Sequence, residues 1–365
     1  CDLYLYGNRF TKSLGNGCFY YKPTFGNKDE ENVHIEKNIF EQCIGAASRA
    51  MCVELQTSNI TFYNNTIQDC SLYQNAYLIE FYLPQIMNEF TLDSIIFRNL
   101  ETNSPYGGGS GSWFQMRNKR YDLIFRDCTF ENNHASYSVN NRGLDNGKGG
   151  ALQYGWTESI SNIDLTIERC HFLNNKADQE GGALCLMIQG NIEITECTFE
   201  KNIAGLTDTN EYLGGAIAIF PNYGYKQNIY TESVNIAHCT FKENLGHNAN
   251  AIFVQDGSHT NIAISDKCQF IDNTNESSQH ACVMVEAREL EIDDCNFEFT
   301  FKNTSCNAID TNATNLLLNS VVFRRCVLPG KAGNALVIRA ATTTSIINNC
   351  QFIDSGNNQQ GSVIY

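Results

Sequence analysis

Cys197-Thr-Phe199-Glu-Lys-Asn202, followed by Gly214-Gly-Ala216-Ile217, decides the fold because both phrases recur along the chain. The first returns as Cys128-Thr-Phe130-Glu-Asn-Asn133, Cys170-His-Phe172-Leu-Asn-Asn175, Cys239-Thr-Phe241-Lys-Glu-Asn244 and Cys268-Gln-Phe270-Ile-Asp-Asn273. Shorter copies are Cys295-Asn-Phe297 and Cys350-Gln-Phe352, and Phe10, Phe40, Ile67, Phe97 and Phe323 hold the same anchor position. The second phrase returns as Gly149-Gly-Ala151-Leu152 and Gly181-Gly-Ala183-Leu184, and more loosely as Asn250-Ala-Ile252, Asn307-Ala-Ile309 and Asn334-Ala-Leu336. Before each Cys-x-Phe phrase apolar residues alternate, as in Leu165/Ile167, Ile192/Ile194, Val234/Ile236 and Leu290/Ile292. Alternation at period two is the mark of a half-buried strand.

Successive anchors lie mostly 26 to 33 residues apart, and twice 42. Three short strands per repeat, with no helical periodicity, describe one turn of a parallel solenoid whose coils bury their apolar sides only by stacking. The expected fold is all-β: one right-handed parallel β-helix domain over residues 1–365, with about 11–12 coils of three short strands. A rise of about 4.8 Å per coil gives a rod of about 50–55 Å. Leucine-rich repeats have a similar period but need a leucine-spaced consensus, which is absent. The repeat frame is already running at Cys1 and still running at Tyr365, so a longer native chain is expected.

The formal net charge of −15 repels phosphate backbones, so nucleic acid is not an expected partner. No window reaches the roughly 18 apolar residues of a membrane span. Only five prolines punctuate the chain, while asparagine and glycine, which tolerate positive φ, are plentiful.

The pairing of Phe-x-x-Asn, as in Phe130-Glu-Asn-Asn133, with Gly-Gly-Ala-[Ile/Leu], as in Gly214-Gly-Ala216-Ile217, resembles the repeats of polymorphic outer-membrane proteins. Those repeats are similar to the wider pectate-lyase-like β-helix class. The resemblance runs along nearly the whole chain, with both motifs clean from Cys128 to Asn244. It implies an extracellular or cell-surface protein of the adhesin or passenger kind. A repeat motif reports coil geometry first and function only by analogy.

The asparagine that closes Phe-x-x-Asn reads as an internal ladder whose amides satisfy turn backbone groups. Of the 16 cysteines, Cys128, Cys170, Cys197, Cys239, Cys268, Cys295 and Cys350 share one repeat position, beside the anchors Phe130, Phe172, Phe199, Phe241, Phe270, Phe297 and Phe352. Stacked Cα atoms about 4.8 Å apart are within disulfide range, yet parallel Cβ vectors suit the required dihedral poorly. A buried thiol column is the expectation. Cys43, Cys70 and Cys326 fall where other coils place the ladder asparagine. No Cys-x-x-Cys pair exists, and no metal or cofactor is implied.

Catalytic patterns are missing. Pectinolytic β-helix enzymes carry Gly-His-Gly and Arg-Ile-Lys segments beside clustered aspartates, and neither segment occurs. Glu289, Glu291, Asp293, Asp294 and Glu298 could meet a hard cation but read more simply as a solvated acidic face. There is no nucleophile elbow, phosphate loop or HExxH helix. The expectation is a non-enzyme.

Binding, if any, is expected on enlarged loops at 100–110, 134–149, 153–162, 203–214 and 221–231, which lengthen the same two corners of nearby coils. They carry Tyr137, Tyr154, Trp156, Tyr212, Tyr223 and Tyr225, a residue type that recurs at protein and glycan contacts. Solenoids also tolerate such insertions with no function attached. Asn-x-Ser/Thr sequons at Asn59, Asn64, Asn275, Asn303 and Asn312 are the candidate glycosylation sites; asparagine is common enough to place as many by chance. The leading function is a non-catalytic surface adhesin or rod with other proteins or surface glycans as partners. The alternatives are a carbohydrate-active enzyme and a structural subunit of a filament or coat.

Overall fold

A computed structural model describes residues 3–12, 14–15, 19–21, 32–45, 49–53, 59–73, 77–82, 89–103, 112–115, 121–137, 147–154, 163–205, 214–224, 227–255, 259–274, 281–300, 306–327, 335–339, 343–355 and 363–365. Two parallel sheets of twelve strands run the length of the chain. The first spans Leu3–Tyr6 to Thr344–Asn348, and the second spans Arg9–Thr11 to Gln351–Ile353. In the first, alternating residues turn inward, as in Ile163–Glu168, where Ile163, Leu165 and Ile167 are buried. In the second, each three-residue strand aims its central anchor into the rod. This is the expected parallel β-helix.

The anchors stack ring on ring: Phe130, Phe172, Phe199, Phe241 and Phe270 are separated by 4.8, 4.7, 4.8 and 4.9 Å, with neighbouring planes within 4°. Register survives the two 42-residue spacings, since Phe130 pairs with Phe172 and Phe199 with Phe241. The extra residues therefore enter between sheets rather than within them.

The coil has a side that the sequence reading did not include. A seven-stranded sheet of two- and three-residue strands runs from Leu14–Gly15 to Ile203–Ala204, directly after the second sheet. The remaining side is formed by four strands, Phe19–Tyr21 to Ser112–Gln115, and then by seven, Leu152–Tyr154 to Leu336–Ile338. Among the described residues the first seven coils thus have four strands each, and the next four have three. Two residues are too few to show alternation, so these strands are silent in sequence. Three of them, Glu101–Asn103, His134–Ala135 and Ile203–Ala204, occupy the opening residues of stretches expected to be loop. In the stretch 221–231, Asn222–Gly224 pairs antiparallel with Gln227–Ile229.

Two corners hold the coils together. Asn202 accepts the backbone N–H of Asn175 on Oδ1 at 3.1 Å and donates its amide to the Phe172 carbonyl at 2.9 Å. The same amide reaches Asn244 Oδ1 at 3.0 Å, and the pattern repeats from Asn133 to Asn273. The cysteine corner is built alike. The Cys197 thiol faces the Thr195 and Ile167 carbonyls at 3.1 and 3.4 Å, and its sulfur accepts the Cys170 N–H at 3.4 Å. All seven column cysteines are free, and burial pushes the thiols of Cys128, Cys170 and Cys197 well above their ordinary range.

The two residue types also exchange corners. Asn38 and Asn65 stand at the cysteine position and make the ladder bonds there, Asn38 N–H to Asn65 Oδ1 at 3.0 Å and Asn65 amide to the Ile35 carbonyl at 2.8 Å. Cys70 and Cys326 stand at the asparagine position as free buried thiols, whereas Cys43 at the same corner is disulfide-bonded.

The glycine phrase is equally specific. Gly214 has φ of +70°, and a Cβ there would lie 2.2 Å from the Ile217 carbonyl oxygen. A Cβ on Gly215 would lie 2.1 Å from the Asn250 oxygen of the next coil, so stacking itself excludes a side chain.

Candidate functional site

The aromatic residues expected to form a binding face divide. Tyr137 is exposed just after His134–Ala135, and its backbone N–H donates to Asp178 Oδ2 at 2.8 Å. Tyr154 is a correction: it is an inward residue of Leu152–Tyr154, 6 % exposed, with its hydroxyl bonded to that of buried Tyr121. The strand continues past the glycine phrase far enough to carry Tyr154 into the core. Tyr223 lies in the Asn222–Gly224 hairpin strand. Trp156, Tyr212 and Tyr225 lie outside the described residues, as do the sequons at Asn275 and Asn303. Asn59 begins the strand Asn59–Tyr63, Asn64 is exposed at a turn with φ of 52°, and Asn312 is half-buried.

A groove of about 820 Å³, lined mainly by polar and charged residues, lies where the second sheet turns through the asparagine corner. Its walls come from a simple rule of position. The residue before each ladder asparagine has positive φ and projects outward, and the residue after it starts the next side of the coil. One wall is therefore Asn132, Asn174, Lys201, Glu243 and Asp272, and the other His134, Lys176, Ile203, Leu245 and Thr274, one pair per coil across five coils. A repeat-built corner makes a repeat-built groove.

Charges in the groove are mostly paired. His134 Nε2 is 2.8 Å from Asp178 Oδ1. Lys201 lies 3.3 Å from Glu200 and 3.6 Å from Glu243, and Lys242 lies 3.4 and 3.5 Å from the same two carboxylates. Partial burial raises the Glu200 carboxyl pKa, but Lys201 and Lys242 outweigh it and hold the group below its usual range. The first three coils thus offer amides and cations, and the last two offer Glu243 and Asp272.

The acidic coil is dispersed. Glu289, Glu291 and Asp293 alternate on the outward face of Glu289–Asp293, so neighbouring carboxylates start about 6.6 Å apart along the strand. Asp294 is the turn residue before Cys295, with φ of 49°, and Glu298 faces outward on the second sheet. Asp293 accepts the Asn319 amide at 2.8 Å. Among the described residues no three His, Cys, Asp or Glu side chains are grouped to hold a metal ion. No helix of the described residues is long and apolar enough to cross a membrane.

One further region is built around the coils with enlarged connections. The outward face of Leu184–Leu186, Ile217–Ile219 and Ala249–Gln255 is itself buried, forming a second apolar cluster of Cys185, Met187, Ala218, Phe220, Ala249 and Phe253. Lys148, at the described end of the first expansion, reaches over it, with Nζ 5.9 Å from the Phe220 ring and 2.8 Å from Glu180.

These features define a parallel β-helix repeat protein with a groove on its side. Residues 127–153 match the Chlamydia polymorphic membrane protein (Chlamydia_PMP) repeat. The match covers one coil, from the turn before Cys128 through the Gly149-Gly-Ala151-Leu152 phrase, and that coil contributes Asn132 and His134 to the groove. No curated protein and no solved structure matches the chain.

Proposed function

We propose that this chain is a non-catalytic rod displayed at a cell or outer-membrane surface, where it engages a partner along its side. The observation that carries the reading is the groove of about 820 Å³, whose lining recurs once per coil and bears no arrangement of nucleophile, base and oxyanion donors. A coat subunit would use the rod's flanks for packing against like rods, whereas this flank is concave and hydrogen-bonding. The surface location is supported by the polymorphic membrane protein repeat at 127–153. The dispersed carboxylates of the acidic coil argue against a lyase, which requires them gathered around a cation.

The test is antibody labelling and protease shaving of intact cells that make the protein, paired with turnover assays on neutral and acidic polysaccharides. Labelling of intact cells, with no product released from any polysaccharide, is expected. Protein found only after lysis, or catalytic release of sugars lost on replacing Asp293 and Asp294 together, overturns the reading.

A further inference from the structure

Three of the five exposed tyrosines among the described residues gather on the outer face of the first coils. Tyr4 and Tyr6 stand on Leu3–Tyr6, with Tyr4 stacked on His34 at 4.8 Å, and Tyr63 ends Asn59–Tyr63 two coils on. Register sets Tyr6, Glu36 and Tyr63 in one outward row, whose later positions include Asp93, Thr195 and Ser265. Lys37 steadies the first ring, donating to the Tyr6 hydroxyl at 3.0 Å with its Nζ 4.9 Å from the ring centre. Exposed rings grouped in this way mark a surface that is covered in use. The residue that follows Tyr63 supplies the cover. We infer that Asn64 carries an N-linked glycan whose first sugars lie against Tyr63 and Tyr6.

Asn64-Asn65-Thr66 is an acceptor sequence for such a glycan, and the coil presents it correctly. Asn64 is exposed at a turn with φ of 52°; its backbone N–H donates to the Asp93 carbonyl at 3.0 Å, and among the described residues its side chain makes no hydrogen bond. Asn65 is fully buried and holds the corner, while Thr66 comes back to the outer surface at the start of Thr66–Gln68. Both ends of the sequence therefore face out and its middle faces in. In the transfer, Asn64 Nδ2 bonds to C1 of the reducing-end sugar of an oligosaccharide carried on a polyprenyl diphosphate. The C1–O bond to the diphosphate breaks, the diphosphate leaves with the electron pair, and the amide gives one proton to the transferase. Asn312 has the same signal but a poorer setting: it is half-buried, its N–H donates to the Val285 carbonyl at 2.9 Å, and Ala313 beside it is fully buried. The rings explain the placing of the glycan. Tyr6 lies two coil spacings from Tyr63, about 10 Å, a gap the first sugars cross with their C–H faces on apolar rings.

This inference rests on the surface location of the rod, since the lipid-linked donor is met during export. It is tested on protein taken from the cells that make it, treated with peptide N-glycosidase, which turns each glycosylated asparagine into aspartate, and mapped by peptide mass spectrometry. Asn64 is expected to read as aspartate after the enzyme and not before, with occupancy above that of Asn312. Asn64→Gln and Thr66→Ala should both lose this glycan, and Thr66→Ser should keep it. Loss of the glycan should raise hydroxyl-radical labelling of Tyr63 and Tyr6 about threefold, as rings released from a covering sugar, and leave exposed Tyr137 unchanged. An unmodified Asn64, occupancy at Asn312 equal to or above it, or Tyr63 and Tyr6 labelling indifferent to the glycan overturns the proposal. Intact-cell labelling alongside an unmodified Asn64 would sink the glycan and leave the surface rod standing, whereas protein found only after lysis would sink both.

Discussion

Asn202 closes four hydrogen bonds across three coils, two through Oδ1 and two through its amide. All of these groups are buried, so truncation orphans a backbone N–H and a carbonyl together. Asn202→Ala is expected to cost about 2–3 kcal/mol in urea unfolding, the penalty of unsatisfied buried groups. Asn202→Cys should cost clearly less, because Cys70 and Cys326 already serve this corner as buried thiols. A loss for Asn202→Ala below about 0.5 kcal/mol would mean that the ladder does not hold the turn. The asparagine ladder is legible in sequence because it sits at a fixed distance from a phenylalanine. The exchange of Asn and Cys between corners is not, since Asn38 and Asn65 belong to coils whose copies are weak. The inward turn of Tyr154 is hidden in sequence for a related reason: Leu152–Tyr154 has three residues, and only its first position is marked by the glycine phrase.

At the scale of the element, the recurring device is the left-handed residue before each ladder position. Among the described residues twenty-three that are not glycine have positive φ, including Glu196 at 54°, Lys201 at 55° and Asp294 at 49°. Charged residues fill these sites more often than glycine does, so composition hides the turn. A non-glycine residue there costs on the order of 1 kcal/mol, offset by the hydrogen bonds of the ladder residue that follows. Glu196 is exposed and isolates this effect from packing. Glu196→Gly should be neutral or stabilising within about 1 kcal/mol, whereas Glu196→Val, β-branched in the left-handed region, should destabilise by about 1–2 kcal/mol. Equal thermal midpoints for the two variants would show that the turn conformation is not under strain. The same turns raise the walls of the groove, which explains why neither the groove nor the two-residue strands beside it could be read from alternation.

At the scale of the molecule, each coil touches only its neighbours, so stability is expected to be local along the rod. Phe199 is fully buried between Phe172 and Phe241, with rings 4.7 and 4.8 Å away. Phe199→Ala removes both stacks and leaves a cavity, a loss of about 3–5 kcal/mol. Thr198, half-buried on the outer side of the same strand, should change stability by less than about 0.5 kcal/mol when replaced by alanine. The informative readout is hydrogen exchange followed along the chain. In Phe199→Ala, protection should fall in Ile163–Glu168, His171–Leu173, Ser233–Ala237 and Thr240–Lys242, the strands of the adjoining coils. It should persist in Val322–Arg324, four coils away. Uniform loss from end to end would identify the rod as one cooperative unit despite its repeats. A local loss would mean that the enlarged coils near Phe199 can open without melting the rest. The second apolar cluster around Phe220 and Phe253 lies in this same stretch, so opening there would expose it and break up the groove.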